Sequence, residues 1–176
     1  LERFLPDPMG KEQAGVYAQA FRLLDAFSMF GLLFAGLLLP IFAKMIKQKE
    51  DLGQMLNLSF LLIIVPAIII GISANFYGEQ IMQLLYKEHI TASAPIFGIL
   101  MLGFIGISTT YIFGTLLTSN GSMKQLNFMA SVGMVINIAL NIILIPKFQA
   151  IGSAYASLIT QVLTALSQVI IAVYIF

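Results

Sequence analysis

Polar residues are sparse along this chain and gather in short groups, and between them run five stretches without a charged residue: 26–43, 52–78, 90–123, 125–146 and 148–176. A helical apolar run of about 20 residues covers a hydrocarbon core about 30 Å thick. The pattern therefore predicts an all-α fold, a polytopic membrane helix bundle with about five transmembrane helices over 14–44, 52–75, 94–117, 125–145 and 152–174. Residues 1–13 read as a polar inter-helix loop ahead of the membrane domain 14–176. Residues 77–90 read as an amphipathic segment at the interface, with Ile81, Leu84 and Leu85 opposite the charges. The first span exceeds what a bilayer requires, so a tilt or a projecting end is expected. Pro66 is expected to kink the second, and Asn120-Gly121 suits a turn between the third and fourth. The connections are short, which makes consecutive helices antiparallel neighbours.

The polar residues inside the spans fall on faces. At about 100° per residue, Ala18, Arg22, Asp25, Met29 and Gly36 share one narrow side of the first span, so an ionised pair shares that side. Arg22 suits an anionic group in a hydrated cavity, with Asp25 holding or neutralising it; alternatively the pair neutralises itself near the helix end and snorkels to the interface. Ser153, Ser157, Gln161, Thr164 and Gln168 form a continuous stripe on the fifth span, which fits either a wet path or hydrogen-bonded helix packing. Gly133, Asn137 and Asn141 face one way on the fourth. An unpaired amide in hydrocarbon is costly, so Asn137 and Asn141 are expected to look inward at a neighbouring helix. His89, between Lys87, Glu88 and an apolar run, reads as a solvated loop residue.

Composition narrows the function classes. Of the 176 residues, 59% are hydrophobic and 10% charged, against roughly 25% charged in an ordinary soluble domain. A net charge of +1 gives no basic field for nucleic acid. With no cysteine and one histidine, neither a thiolate nucleophile nor a Cys or His metal cluster is available, and no spacing matches a catalytic motif. No enzyme activity, cofactor or metal is expected. Lys44, Lys47, Lys49 and Lys124 fall on one side, and Arg3, Lys11, Lys87 and Lys147 on the other. The counts balance, so the densest group, the lysine loop at 44–53, is the one placed in the cytoplasm.

Three stretches carry a family resemblance: AGVYAQA leading to LLLP, NIALNIILIP, and FQAIGSAYA. With LLYKEHITASAPIFGILML they mark a resemblance that extends over nearly the whole chain. The chain resembles the polysaccharide-biosynthesis (O-antigen type) flippases of the multidrug/oligosaccharidyl-lipid/polysaccharide exporter superfamily, in its C-terminal half. It departs from the family pattern at Gln149, where glycine is usual, and at Ser153, where alanine is usual.

The resemblance implies a helix bundle in two lobes around a central cavity, with this chain most of the second lobe and the remaining transmembrane helices supplied by the full-length protein. It implies a multi-pass protein of the cytoplasmic (inner) membrane, with the lysine loop inside and the connections near Tyr77 and Pro146 outside. Its cargo would be a lipid-linked oligosaccharide, a polyprenyl diphosphate carrying sugars, flipped by alternating access. Arg22 would meet the diphosphate, and Gln19, Asn57, Gln161 and Gln168 the sugar hydroxyls. The alternatives are a cation-coupled multidrug exporter of the same superfamily, in which Asp25 would matter more than Arg22, and a non-transporting scaffold subunit that binds partner helices.

Overall fold

A computed structural model describes residues 5–176. Residues 1–4, including Arg3 of the charge count, lie outside it. The described residues form four helices: α1 Met9–Gln48, α2 Gly53–Leu85, α3 Ile90–Ser119 and α4 Met123–Ile175. All four are long and apolar enough to cross a membrane, which fits a membrane helix bundle.

Local chemistry explains the boundaries. Pro8 stands ahead of α1, where the helix needs no N–H, and Glu12 sits in its first turn, favourable to the helix dipole. The helix thus begins at Met9, inside the segment expected to be loop. Lys49, with φ 56°, closes α1 in the left-handed conformation, and the N–H of Glu50 donates back to the Met45 carbonyl. Asp51 then accepts from the Gly53 N–H at 2.9 Å at the start of α2. Gly121, with φ 78°, makes the turn between α3 and α4, as its Asn-Gly pair predicts.

Two sequence expectations are corrected. The first is the segment 77–90. α2 passes through Pro66 and on to Leu85 without a break, so 77–85 continues the helix instead of starting a separate one. Met82 is completely buried and Ile81 packs against the same cluster, while Leu84 and Leu85 stay exposed, so only part of the apolar side of this stretch has a protein partner.

The second is the helix count: four helices stand where five were expected, because one helix of 53 residues spans both the fourth and fifth stretches. It is bent back on itself at Gln149, whose φ of 54° and ψ of −133° are not helical. The two arms, 123–148 and 150–175, run antiparallel: Asn137 on the first donates to Thr160 on the second at 3.2 Å. Near the bend the arms meet backbone to backbone, and a side chain at Gly152 would collide with the Leu144 carbonyl. Glycine takes a positive φ with a strongly negative ψ at little cost, so the bend would suit a glycine at position 149.

The bundle is organised around α3. Half of its most apolar stretch is buried, against 11% for α4, and α1, α2 and α4 all pack on it. Buried residues form two clusters along its length. One joins Val16, Ala20 and Leu24 of α1 to Phe97, Leu100 and Met101 of α3 and Ala150 and Ala154 of α4, toward the Pro146 end. The other joins Leu38 and Phe42 to Ile112, Leu116 and Leu117 and to Ala172, toward the lysine-loop end. The space between these clusters positions the candidate site.

Candidate polar cavity between α1, α3 and α4

Midway along the helices, between the two clusters, lies a cavity of about 330 Å³. From α1 it takes Phe21, Leu24, Asp25 and Ser28; from α3 Leu100, Gly103, Ile107, Thr110 and Tyr111; from the second arm of α4 Ser157, Leu158 and Gln161. Each helix brings these side chains to one face by spacings of three and four. Two small residues allow the approach. Gly31 makes room for the Tyr111 ring, which would lie 2.5 Å from an added side-chain carbon, and Gly106 lets α3 come within 3.0 Å of the Gln161 backbone by the same measure.

Three features give the cavity its polar character. Asp25 is exposed to it, with no cationic atom within 4 Å: the ion pairs among the described residues are Lys11–Asp7 at 3.0 Å and His89–Glu12 at 3.5 Å. The Thr110 hydroxyl is buried without a hydrogen-bond partner. Ser28, Tyr111, Ser157 and Gln161 add further donors and acceptors. Buried polar groups in a native fold are nearly always satisfied, so an unpartnered hydroxyl beside a lone carboxylate marks a place for water or a ligand. No group of three or more His, Cys, Asp or Glu that could hold a metal occurs among the described residues. The arrangement is suited to binding.

The structure brings together only some of the residues expected at the site. Asp25 and Gln161 line the cavity. Arg22 is exposed on α1, outside the cavity lining and without an ion-pair contact to Asp25. The two charges share a side of the helix, as the periodicity predicts, but the expected pairing between them is not formed. Gln19 lies toward the Pro146 end, where its carbonyl accepts from the Tyr86 hydroxyl at 3.3 Å and its side-chain oxygen is buried without a partner. Asn57 is exposed near the start of α2, far from the cavity along the bundle. Gln168 is buried two turns beyond Gln161, its side-chain oxygen against Gly114 and without a hydrogen-bond partner.

Ser28, Thr110 and Tyr111 were not singled out by sequence reasoning. Ser28 stands three residues after Asp25, and Leu100, Gly103, Ile107 and Thr110 are spaced three, four and three apart, so a stripe count on the third span would have found them. His89, expected as a solvated loop residue, precedes α3 with φ 58° and faces Glu12 at the start of α1.

No protein-family model matches the chain, and neither a curated protein nor a solved structure matches it.

Proposed function

We propose that the chain is most of one lobe of a membrane flippase that moves a lipid-linked oligosaccharide across the cytoplasmic membrane by alternating access. The observation that supports this reading is the open-sided cavity at mid-helix depth, lined by three long helices, largely apolar but holding a carboxylate and a buried hydroxyl with no partner in the fold. A charged, sugar-bearing headgroup crosses hydrocarbon only inside such a compartment. Arg22, on the exposed surface of α1 three residues from Asp25, is placed to meet a diphosphate approaching the cavity, and Gln161, Ser157 and Thr110 offer hydrogen bonds to sugar hydroxyls. In this topology the lysine loop is cytoplasmic and the Pro146 end external.

One observation favours a second reading within the superfamily. Asp25 faces the cavity and Arg22 does not, which suits a cationic cargo or coupling ion better than an anionic one. Export by the complete transporter distinguishes the two. Under the flippase reading Arg22→Ala abolishes glycan export at normal membrane levels, Arg22→Lys keeps part of it, and Asp25→Asn is mild. Under the exporter reading Asp25→Asn abolishes transport and Arg22→Ala is tolerated. Normal export by all three variants would remove both charges from the mechanism.

A further inference from the structure

The cavity has a ceiling, and its construction differs from that of its walls. Among the described residues, every side-chain hydrogen bond from α1 to α4 lies toward the Pro146 end: Gln149 to the Met9 sulfur at 3.7 Å, the Ala150 N–H to Gln13 at 3.3 Å, and the Tyr17 and Ser157 hydroxyls at 3.2 Å. The last is the deepest of the three. Ser157 itself lines the cavity, and the Tyr17 ring stacks on Phe21, which also lines it, with centroids 5.9 Å apart and planes 20° apart. Above this pair the Gln149–Met9 and Ala150–Gln13 contacts join the two helices, and Val16 and Ala20 of α1 share one buried cluster with Ala150 and Ala154 of α4. Below it no α1–α4 hydrogen bond is formed and the cavity begins. The other contacts that steady this end of α1, from Tyr86 to the Gln19 carbonyl and from His89 to Glu12, come from the α2–α3 connection.

We propose that Tyr17 and Ser157 form a thin gate that closes the cavity toward the Pro146 end. Small residues of both helices, Ala20 with Ala150 and Ala154, belong to one buried cluster at this end, and the hydroxyl pair is the one directional α1–α4 contact at the boundary of the compartment. The Tyr17 ring stacks on Phe21 of the cavity lining, so separation of the hydroxyls frees a ring that rests on that lining. This gives Tyr17, in the AGVYAQA stretch, and Ser157, in the polar stripe, a shared role in controlling access. The proposal rests on the cavity being the transport compartment, whatever its cargo.

These 176 residues contain no cysteine, which permits a direct test in the complete transporter, with any cysteine outside them replaced, in vesicles of defined orientation. A single Ser28→Cys reporter on the cavity wall is labelled with a membrane-impermeant maleimide applied from the Pro146 side. Labelling is expected to be slow in the otherwise native chain, and about fivefold faster with Tyr17→Phe or Ser157→Ala, the shift that one neutral hydrogen bond gives. The double variant should add nothing to either single one, because both remove the same bond. Ser157→Thr, which keeps the hydroxyl, should restore slow labelling and guards against a folding artefact. Unchanged labelling in Tyr17→Phe and Ser157→Ala would overturn the gate, as would equal acceleration by Asn57→Leu, an exposed change near the start of α2 at the lysine-loop end. Because labelling needs no cargo, a failed gate and a wrong cargo give different results.

Discussion

Asn137 and Asn141, on the first arm of α4, donate to each other's neighbourhood and to the opposite arm: Asn141 to the Asn137 carbonyl and side-chain oxygen at 2.8 and 3.0 Å, and Asn137 to Thr160, which in turn donates to the Ala156 carbonyl. Across the second arm, in the cavity, Asp25 meets no cation and Thr110 no partner. Both groups lie inside long apolar helices, where a missing partner cannot be replaced by bulk water. The difference separates two uses of polarity. A chain of amides that satisfies itself within a helical hairpin is explained by assembly. A carboxylate and a hydroxyl left open on a cavity wall require water or a ligand to complete them.

The contrast can be broken most strongly at the hairpin itself. Gly152→Ala places a methyl group against the Leu144 carbonyl, backbone that cannot step aside as a flexible side chain would. A loss of about 3 kcal/mol is expected, read as a large fall in melting temperature in detergent. A fall of less than a third of that would mean that the arms are less closely apposed than described.

Asn137→Leu removes the inter-arm hydrogen bond and leaves Thr160 its bond to Ala156. The expected loss is about 1 kcal/mol, with export by the complete transporter preserved. Normal stability with lost export would move the amides from assembly to function.

Gln149→Gly acts in the opposite direction. It relieves a backbone conformation with positive φ at the bend, at the expense of the weak contact to Met9, and should raise stability by about 1 kcal/mol. A decrease would show that the Gln149 side chain does more for the bend than its backbone takes away.

Much of this architecture was legible in the chain, for reasons that also mark where reading stopped. A charge-free run lies within every helix, although the runs gave five spans where four helices stand, and the spacing of Asn137 and Asn141 put both amides on the inward face. Helix continuity was less accessible. Residues 77–85 stay helical because Met82 finds a pocket against distant residues, and α4 turns without a polar loop because Gly152 permits close backbone contact. At the site, Asp25 and Gln161 could be placed by periodicity alone, but the separation of Arg22 from Asp25 could not: a helical angle gives the direction in which a side chain leaves the axis and not the partner it meets. Asn57 and Gln168 met the same limit, since their polar type was visible and their distance from the cavity was not.

The central claim is that unpartnered polarity in the cavity serves binding and not stability, and Thr110→Val tests it most directly. The substitution keeps the shape of the side chain and removes a hydroxyl that has no partner in the fold. Melting temperature and export are measured on the same complete transporter. The account predicts an unchanged or slightly raised melting temperature, because an unsatisfied buried hydroxyl has been exchanged for a methyl group, together with a roughly fivefold fall in export from one lost hydrogen bond to the cargo or its water. A lowered melting temperature with normal export would contradict it and would return Thr110, and the cavity with it, to the packing of the bundle.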